Sequence, residues 1–230
     1  MSETILEGGD VNLVVRVGDT VRRPMGAWSP AVHALLQHFE AAGFDGAPRF
    51  LGVDEQGREV LSYVEGDAAL APAPDGDDAV EQLGRLVRRA HDAQAGFTDP
   101  GGWVEPTDGP VICFHDFFPT NVIFRNGRPA ALIDWDLARP GEPADDVAAA
   151  ALWWVPLQPD REATLWGRPV DRRGERLRRL CDGFGLEERH DVVERVLAFR
   201  RRRYALTRKP RILRGVRWLE ERQEELQAWL

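Results

Sequence analysis

Apolar positions in the first 64 residues follow two different periods. Residues 11–17 (VNLVVRV) are β-branched and strand-like, Gly18-Asp19 marks a turn, and residues 20–23 return as a second arm closed by Pro24 and Gly26. Ser29 followed by Pro30 reads as an N-cap and first helical position. Val32, Leu35, Leu36 and Phe39 then share one face of a helix running to about Ala42. Residues 48–53 and 59–64 predict two more strands around a Gln56-Gly57 turn, and residues 69–77 (ALAPAPDGD) have linker composition. Beyond them the pattern turns helical. Leu83, Leu86 and Val87 lie on one face over residues 80–93, a helix follows Pro143, and residues 160–230 read as several amphipathic helices. The last of these carries Ile212, Val216, Leu219, Leu226 and Leu230 as a stripe that packs on its own lobe or on a second copy, so a monomer or homodimer is expected. The pattern predicts a small β-rich lobe over 1–64 and a larger helical lobe over 65–230, joined as one unit.

One stretch inside the helical half breaks that period. Asn126-Gly127 separates two apolar strand-like runs, 122–125 and 128–133, which is the strongest short-range hairpin signal because a type I′ turn needs positive φ at both positions. Pro129 pushes the second run toward an edge. Counting outward from the turn, Asn121 faces Leu132, and Asp134 lies two residues further along the same strand. Period-two alternation then puts Asn121 and Asp134 on one face, about 7–8 Å apart as diagonal neighbours.

Composition removes several classes of function. A net charge of −8 argues against general nucleic-acid or acidic-membrane binding. Two cysteines, Cys113 and Cys181, cannot build a disulfide framework or a four-ligand zinc site. The longest apolar run, 147–157, is too short to cross a bilayer, and no leader pattern opens the chain, so a cytoplasmic protein is expected. Of 30 basic residues only Lys209 is lysine, and ten fall between Arg195 and Arg217 with no acid among them. That stretch reads first as a solvated helix face, and otherwise as a site for an anionic substrate or partner.

Asn121 and Asp134 together offer hard oxygen ligands suited to Mg²⁺. Asp116 stands five residues before Asn121 in the loop entering the hairpin. An Asp, an Asn five residues on, a hairpin and a second Asp form a phosphoryl-transfer layout. At this point the segment 111–138 (VICFHDFFPTNVIFRNGRPAALIDWDLA) resembles the aminoglycoside phosphotransferase and choline kinase family, relatives of the protein kinases. The resemblance implies a protein-kinase-like two-lobed α+β fold: a small antiparallel sheet with one helix, then a larger, mainly helical lobe. It implies Asp116 as catalytic base, Asn121 and Asp134 as Mg²⁺ ligands, and Asp146 as a buttress of the loop.

Phe114 stands where the family carries a histidine. Gly8 and Gly9 resemble the family's turn over the nucleotide phosphates, and Arg22, with Arg23 as fallback, matches its basic residue on the third strand. His33 occupies the place of that residue's usual glutamate partner on the following helix. Residues 61–66 match the hinge that reads the purine, with ATP and GTP equally open as co-substrate. The activity implied is transfer of a γ-phosphoryl group to a hydroxyl of a small molecule, an antibiotic such as an aminoglycoside or a metabolite. The alternative is a catalytically weak kinase-fold protein of nucleotide-binding or toxin-immunity type.

Overall fold

The β-branched run near the N-terminus forms a strand over its residues 15–17. In a computed structural model that describes residues 3–6, 14–68, 77–165 and 170–230, β1 (Thr4–Ile5), β2 (Val15–Val17), β3 (Thr20–Pro24), β4 (Phe50–Val53) and β5 (Arg58–Ser62) build an antiparallel sheet in the order β1-β2-β3-β5-β4. Residues 11–13 lie outside the described residues. The helix α1 (Ser29–Ala41) buries Val32, Leu35, Leu36 and Phe39, the stripe its sequence spacing requires. It starts with Trp28, not Ser29, at the N-cap position. Ser29 is turned back instead, its Oγ accepting the Gly26 N–H at 3.0 Å and fastening the turn that leads in.

Two smaller sheets carry the hairpin and its surroundings. β6 (Asp67–Ala68) lies between the expected hinge and the expected linker, whose residues 69–76 fall outside the described residues, and pairs with β8 (Val122–Arg125), which pairs with β9 (Arg128–Leu132). β7 (Val111–Cys113) pairs with β10 (Arg139–Gly141), tying the start of the loop before the hairpin to the chain that follows it.

The rest is helical: α2 (Asp77–Asp92), α3 (Pro143–Trp154), α4 (Asp160–Leu165), α5 (Arg173–Phe184), α6 (Val192–Thr207) and α7 (Pro210–Gln227). Leu83, Leu86 and Val87 of α2 join the largest apolar cluster with Leu177, Leu180 and Phe184 of α5. Each fully buried side chain of this kind contributes roughly 1.5–3 kcal/mol. The two helices meet backbone to backbone. A Cβ at Gly84 would lie 2.4 Å from the Leu180 carbonyl oxygen, and one at Gly183 would lie 2.0 Å from that of Glu81.

The basic stretch spans α6 and the start of α7. Arg201 pairs with Glu220 and Arg214 with Glu162 at the surface, the solvated face expected of it. Arg200 is different: it is buried against Gly215, and its Nε has no partner. Burial, with Arg211 adding to it, lowers its pKa to about 10. Among the described residues no helix is long and apolar enough to cross a membrane.

Candidate active site

The hairpin turn forms as its sequence demands, with Asn126 at φ 51° and Gly127 at φ 74°. Arg125 then pairs with Arg128 and Phe124 with Pro129, but beyond them the register slips, Ile123 facing Ala131 and Val122 facing Leu132. Pro129 has no N–H to continue the ladder, and Ala130 is the extra residue of the resulting bulge. Asn121 therefore faces Ile133, whose N–H it accepts at 2.9 Å, and not Leu132. The flat alternation argument fails at Asp134 too. That residue is left-handed (φ 65°, ψ 69°), so its side chain is aimed by the backbone turn and not by strand period.

Asp116, Asn121 and Asp134 nonetheless come together. Asn121 closes a single 3₁₀ turn, Pro119–Asn121, and its Nδ2 donates to the Asp116 carbonyl at 3.2 Å. Burial raises the pKa of the Asp116 carboxyl above its usual 3.8, and the charge of Asp134 raises it further. Arg203, the Phe118 N–H and the Asn121 amide pull it back only in part. Such a carboxylate holds a proton more readily than a solvated one, as a general base should.

The loop carrying Asp116 is held from behind. Asp146 of α3 is buried and accepts the N–H groups of Phe114 (2.9 Å) and His115 (2.8 Å), together with His91 Nε2 at 2.9 Å. These bonds keep its carboxyl ionised below the usual range despite its burial. They also fix His115 at φ 62°, a strained value for a side-chain-bearing residue. Phe114 packs edge-on against Phe117 and Trp135, filling the space with apolar contact. Trp154 Nε1 bonds the Phe117 carbonyl at 3.0 Å and pins the loop's other end. The ligand atoms of His91, Cys113 and Asp146 cluster within 4.8 Å. Asp146 already spends both oxygens on the loop, and burial keeps the Cys113 thiol protonated, so the cluster reads as structural.

Across the cleft the third strand presents one arginine to this group, Arg23. Its Nε reaches Glu59 at 2.5 Å, one Nη reaches Asp134 at 2.6 Å and the other reaches Asp136 at 2.5 Å. Burial works against the charge, but the three carboxylates more than offset it and hold the guanidinium ionised. Glu59 also receives His33 Nε2 at 2.5 Å, and the imidazole stacks on Phe50. The arginine's acidic partner thus comes from β5, directly opposite Arg23 in the strand register, while the helix position supplies a histidine. Arg22, one residue earlier and on the other face of β3, pairs with Asp54 at 3.5 Å and does not join. Gly8 and Gly9 lie outside the described residues.

Glu59, Asp136 and His91 were not singled out from the sequence as members of the site, and Arg23 was named only as the fallback to Arg22. The Arg-Arg pair at 22–23 gives no sign of which side chain faces the cleft, since strand period fixes the alternation but not its phase. His91 closes an otherwise ordinary amphipathic helix.

Comparison with known proteins agrees with this geometry. The phosphotransferase enzyme family (APH) matches residues 102–180, which span the loop, the hairpin and α3. A trifolitoxin immunity protein from Rhizobium leguminosarum bv. trifolii is 38% identical over 211 residues, covering 86% of this chain and 80% of that protein. Among solved structures, the GDP complex of aminoglycoside 2'-phosphotransferase-IIIa superposes with a TM-score of 0.62 at 15% identity, covering 99% of this chain and 93% of that one. A Plasmodium vivax ethanolamine kinase gives 0.64 at 10% identity over 100% of this chain and 84% of its own. The fold is the protein-kinase-like one; the chain belongs to the family of the trifolitoxin immunity protein, and its residues 102–180 match the phosphotransferase enzyme family.

Proposed function

We propose that this protein transfers the γ-phosphoryl group of ATP or GTP to a hydroxyl of a small molecule. The observation that carries the reading is the meeting of Asp116, its carboxyl pKa raised, with Asn121 and Asp134 beside a single buried arginine. Asp116 takes the proton of the acceptor hydroxyl as that oxygen bonds to phosphorus. The bond from phosphorus to the bridging oxygen breaks, and the nucleoside diphosphate leaves. In this reading Arg23 meets the phosphates, and Glu59 with His33 sets where its guanidinium sits. Gly8 and Gly9 complete the phosphate turn in this proposal, while Arg22 serves the sheet.

The donor set fits Mg²⁺. Asn121 has its Nδ2 anchored on the loop, leaving Oδ1 with only a 3.4 Å contact from Thr120, and Asp134 is the more exposed of the acids around Arg23. Both oxygens are hard ligands. When bound, the ion would neutralise charge on the phosphates. Asp134 would hold the ion with the carboxylate that also meets Arg23.

Thermal melting with ATP or GTP, with and without Mg²⁺, tests the reading. A nucleotide at ~100 times its Kd adds about 2.7 kcal/mol, roughly 5–11 °C for a chain of this size. The shift is expected to need Mg²⁺ and to vanish in Asp134→Asn. No shift with either nucleotide refutes the proposal. A second reading, a toxin-immunity role with little transfer, is favoured by the 38% identity to the trifolitoxin immunity protein. Nucleotide binding without release of diphosphate in the presence of hydroxyl acceptors would select it.

A further inference from the structure

Beside the catalytic loop lies a cleft of about 390 Å³ that the proposed reaction leaves unused. His115, only 6% exposed, lines it, and neither ring nitrogen has a partner. The imidazole lies parallel to Phe199 of α6. Gly141 keeps the wall open, since a Cβ there would come within 3.0 Å of Asp145 Oδ2 and 3.6 Å of His115 Nε2. Burial, aided by the charge of Arg139, pushes the His115 pKa down to about 4. The ring is therefore neutral at pH 7, with one N–H and one lone pair unspent.

Three guanidinium groups surround it, those of Arg139, Arg195 and Arg202. Their acidic neighbours have little left to offer. Glu105 Oε2 is shared between Arg139 at 3.2 Å and Arg202 at 2.6 Å. Asp145 gives Oδ1 to Arg195 at 2.7 Å and Oδ2 to the Glu142 N–H at 2.9 Å, while Asp191 takes the Arg195 Nε at 2.6 Å. Asp108, exposed at the rim, is the one remaining acid of the lining. Formal charges nearly cancel, but hydrogen-bond capacity does not. Each guanidinium has five N–H donors, and apart from these contacts and the 3.0 Å bond from Arg139 Nη1 to the Leu137 carbonyl, those of Arg139, Arg195 and Arg202 are left for a ligand or solvent. A ligand rich in acceptors is what completes such a site, and a planar or tetrahedral oxyanion matches the guanidinium fork.

The cleft adjoins the reaction centre along the chain. His115 immediately precedes Asp116, and Arg202 precedes Arg203, whose charge bears on the Asp116 carboxyl. We infer that the cleft receives the oxyanion group, a carboxylate or a phosphate monoester, of the molecule whose hydroxyl is phosphorylated. The inference rests on the reading of Asp116 as the base, and it names an acceptor class opposite in charge to the aminoglycosides.

Binding measured without nucleotide separates the two ideas. Glycerate and glycerol 3-phosphate serve as hydroxylated probes with a carboxylate or a phosphate. Uncharged glycerol and cationic kanamycin are the controls, and calorimetry and melting temperature are the readouts. One or both anions are expected to bind and the controls not. Binding by glycerate alone assigns a carboxylate site, and by glycerol 3-phosphate alone a phosphate site. Arg202→Gln, on the helix surface, is expected to weaken binding about tenfold, with Arg195→Gln as a second variant should the first fold poorly. Failure of both anions to bind, or an unchanged Kd in both folded variants, overturns the inference. Anion binding with no transfer in the presence of ATP or GTP and Mg²⁺ keeps an oxyanion site and refutes the phosphotransferase reading. Transfer to kanamycin without anion binding does the reverse.

Discussion

The two flanks of Asp116 are opposite in character. Toward the sheet, one arginine is surrounded by three carboxylates, those of Glu59, Asp134 and Asp136. Toward α6, three arginines and a buried imidazole line one cleft, where Glu105 and Asp145 already hold guanidinium groups. The first flank is short of positive charge and is suited to a further cation. The second is short of hydrogen-bond acceptors and is suited to an oxyanion. Counting charges over the whole chain, −8, would miss this contrast, because at a few ångströms the unspent donors and acceptors decide what binds.

The largest effect that sharpens the contrast is on the group between the flanks. Asp116→Asn is expected to lower the transfer rate about a thousandfold, within the range for general acid–base groups, while leaving nucleotide-dependent stabilisation in place. Loss of both together would assign Asp116 to the nucleotide side. Next is Arg23→Gln, which leaves the buried Glu59 carboxylate without its guanidinium partner and is expected to cost about 3–5 kcal/mol in denaturant unfolding. Arg22→Gln, with its 3.5 Å contact to Asp54, should cost about 1 kcal/mol or less. Equal costs would dissolve the distinction between the two arginines.

On the other flank, His115 titrates at about 4 in the folded protein and at 6.5 when free. The unfolded chain binds more protons between those values, so this group's contribution to stability is complete above pH 6.5 and falls as pH drops toward 4, by about 3 kcal/mol in all. Across that window His115→Gln should lose about that much less stability than the wild type. The smallest effect concerns Arg203, whose charge lowers the Asp116 carboxyl pKa. Removing it in Arg203→Gln should move the acid limb of the kcat/KM profile to higher pH, and a limb that stays in place would detach α6 from the reaction centre.

Much of the first flank was legible in the residues, and little of the second. The Asn-Gly turn and the spacing of Asp116, Asn121 and Asp134 mark the hairpin and its polar end because local backbone rules govern them. The register past Pro129 was not legible, since a bulge depends on where a missing N–H interrupts the ladder. Arg23 and Glu59 are 36 residues apart, and only the pairing of β3 with β5 sets them face to face. The basic run in α6 was visible as charge. What distinguishes its members is which side of the helix meets the loop: Arg202 reaches Glu105, Arg201 a solvent-facing acid, and Arg200 neither. That division comes from tertiary packing.

The contact of Gly84 with Gly183 has a dynamic consequence. Two backbones touching without side chains between them cannot be eased apart by a rotamer change, so α2 leaves α5 as a whole or stays. His91 travels with α2, and the Asp146 carboxylate it binds is the acceptor for the amides of Phe114 and His115. In hydrogen exchange those two loop amides should therefore open with the same free energy as the middle of α2. The loop that carries Asp116 is thus tied to the α2–α5 pair, and the aim of Asp116 lasts as long as that packing.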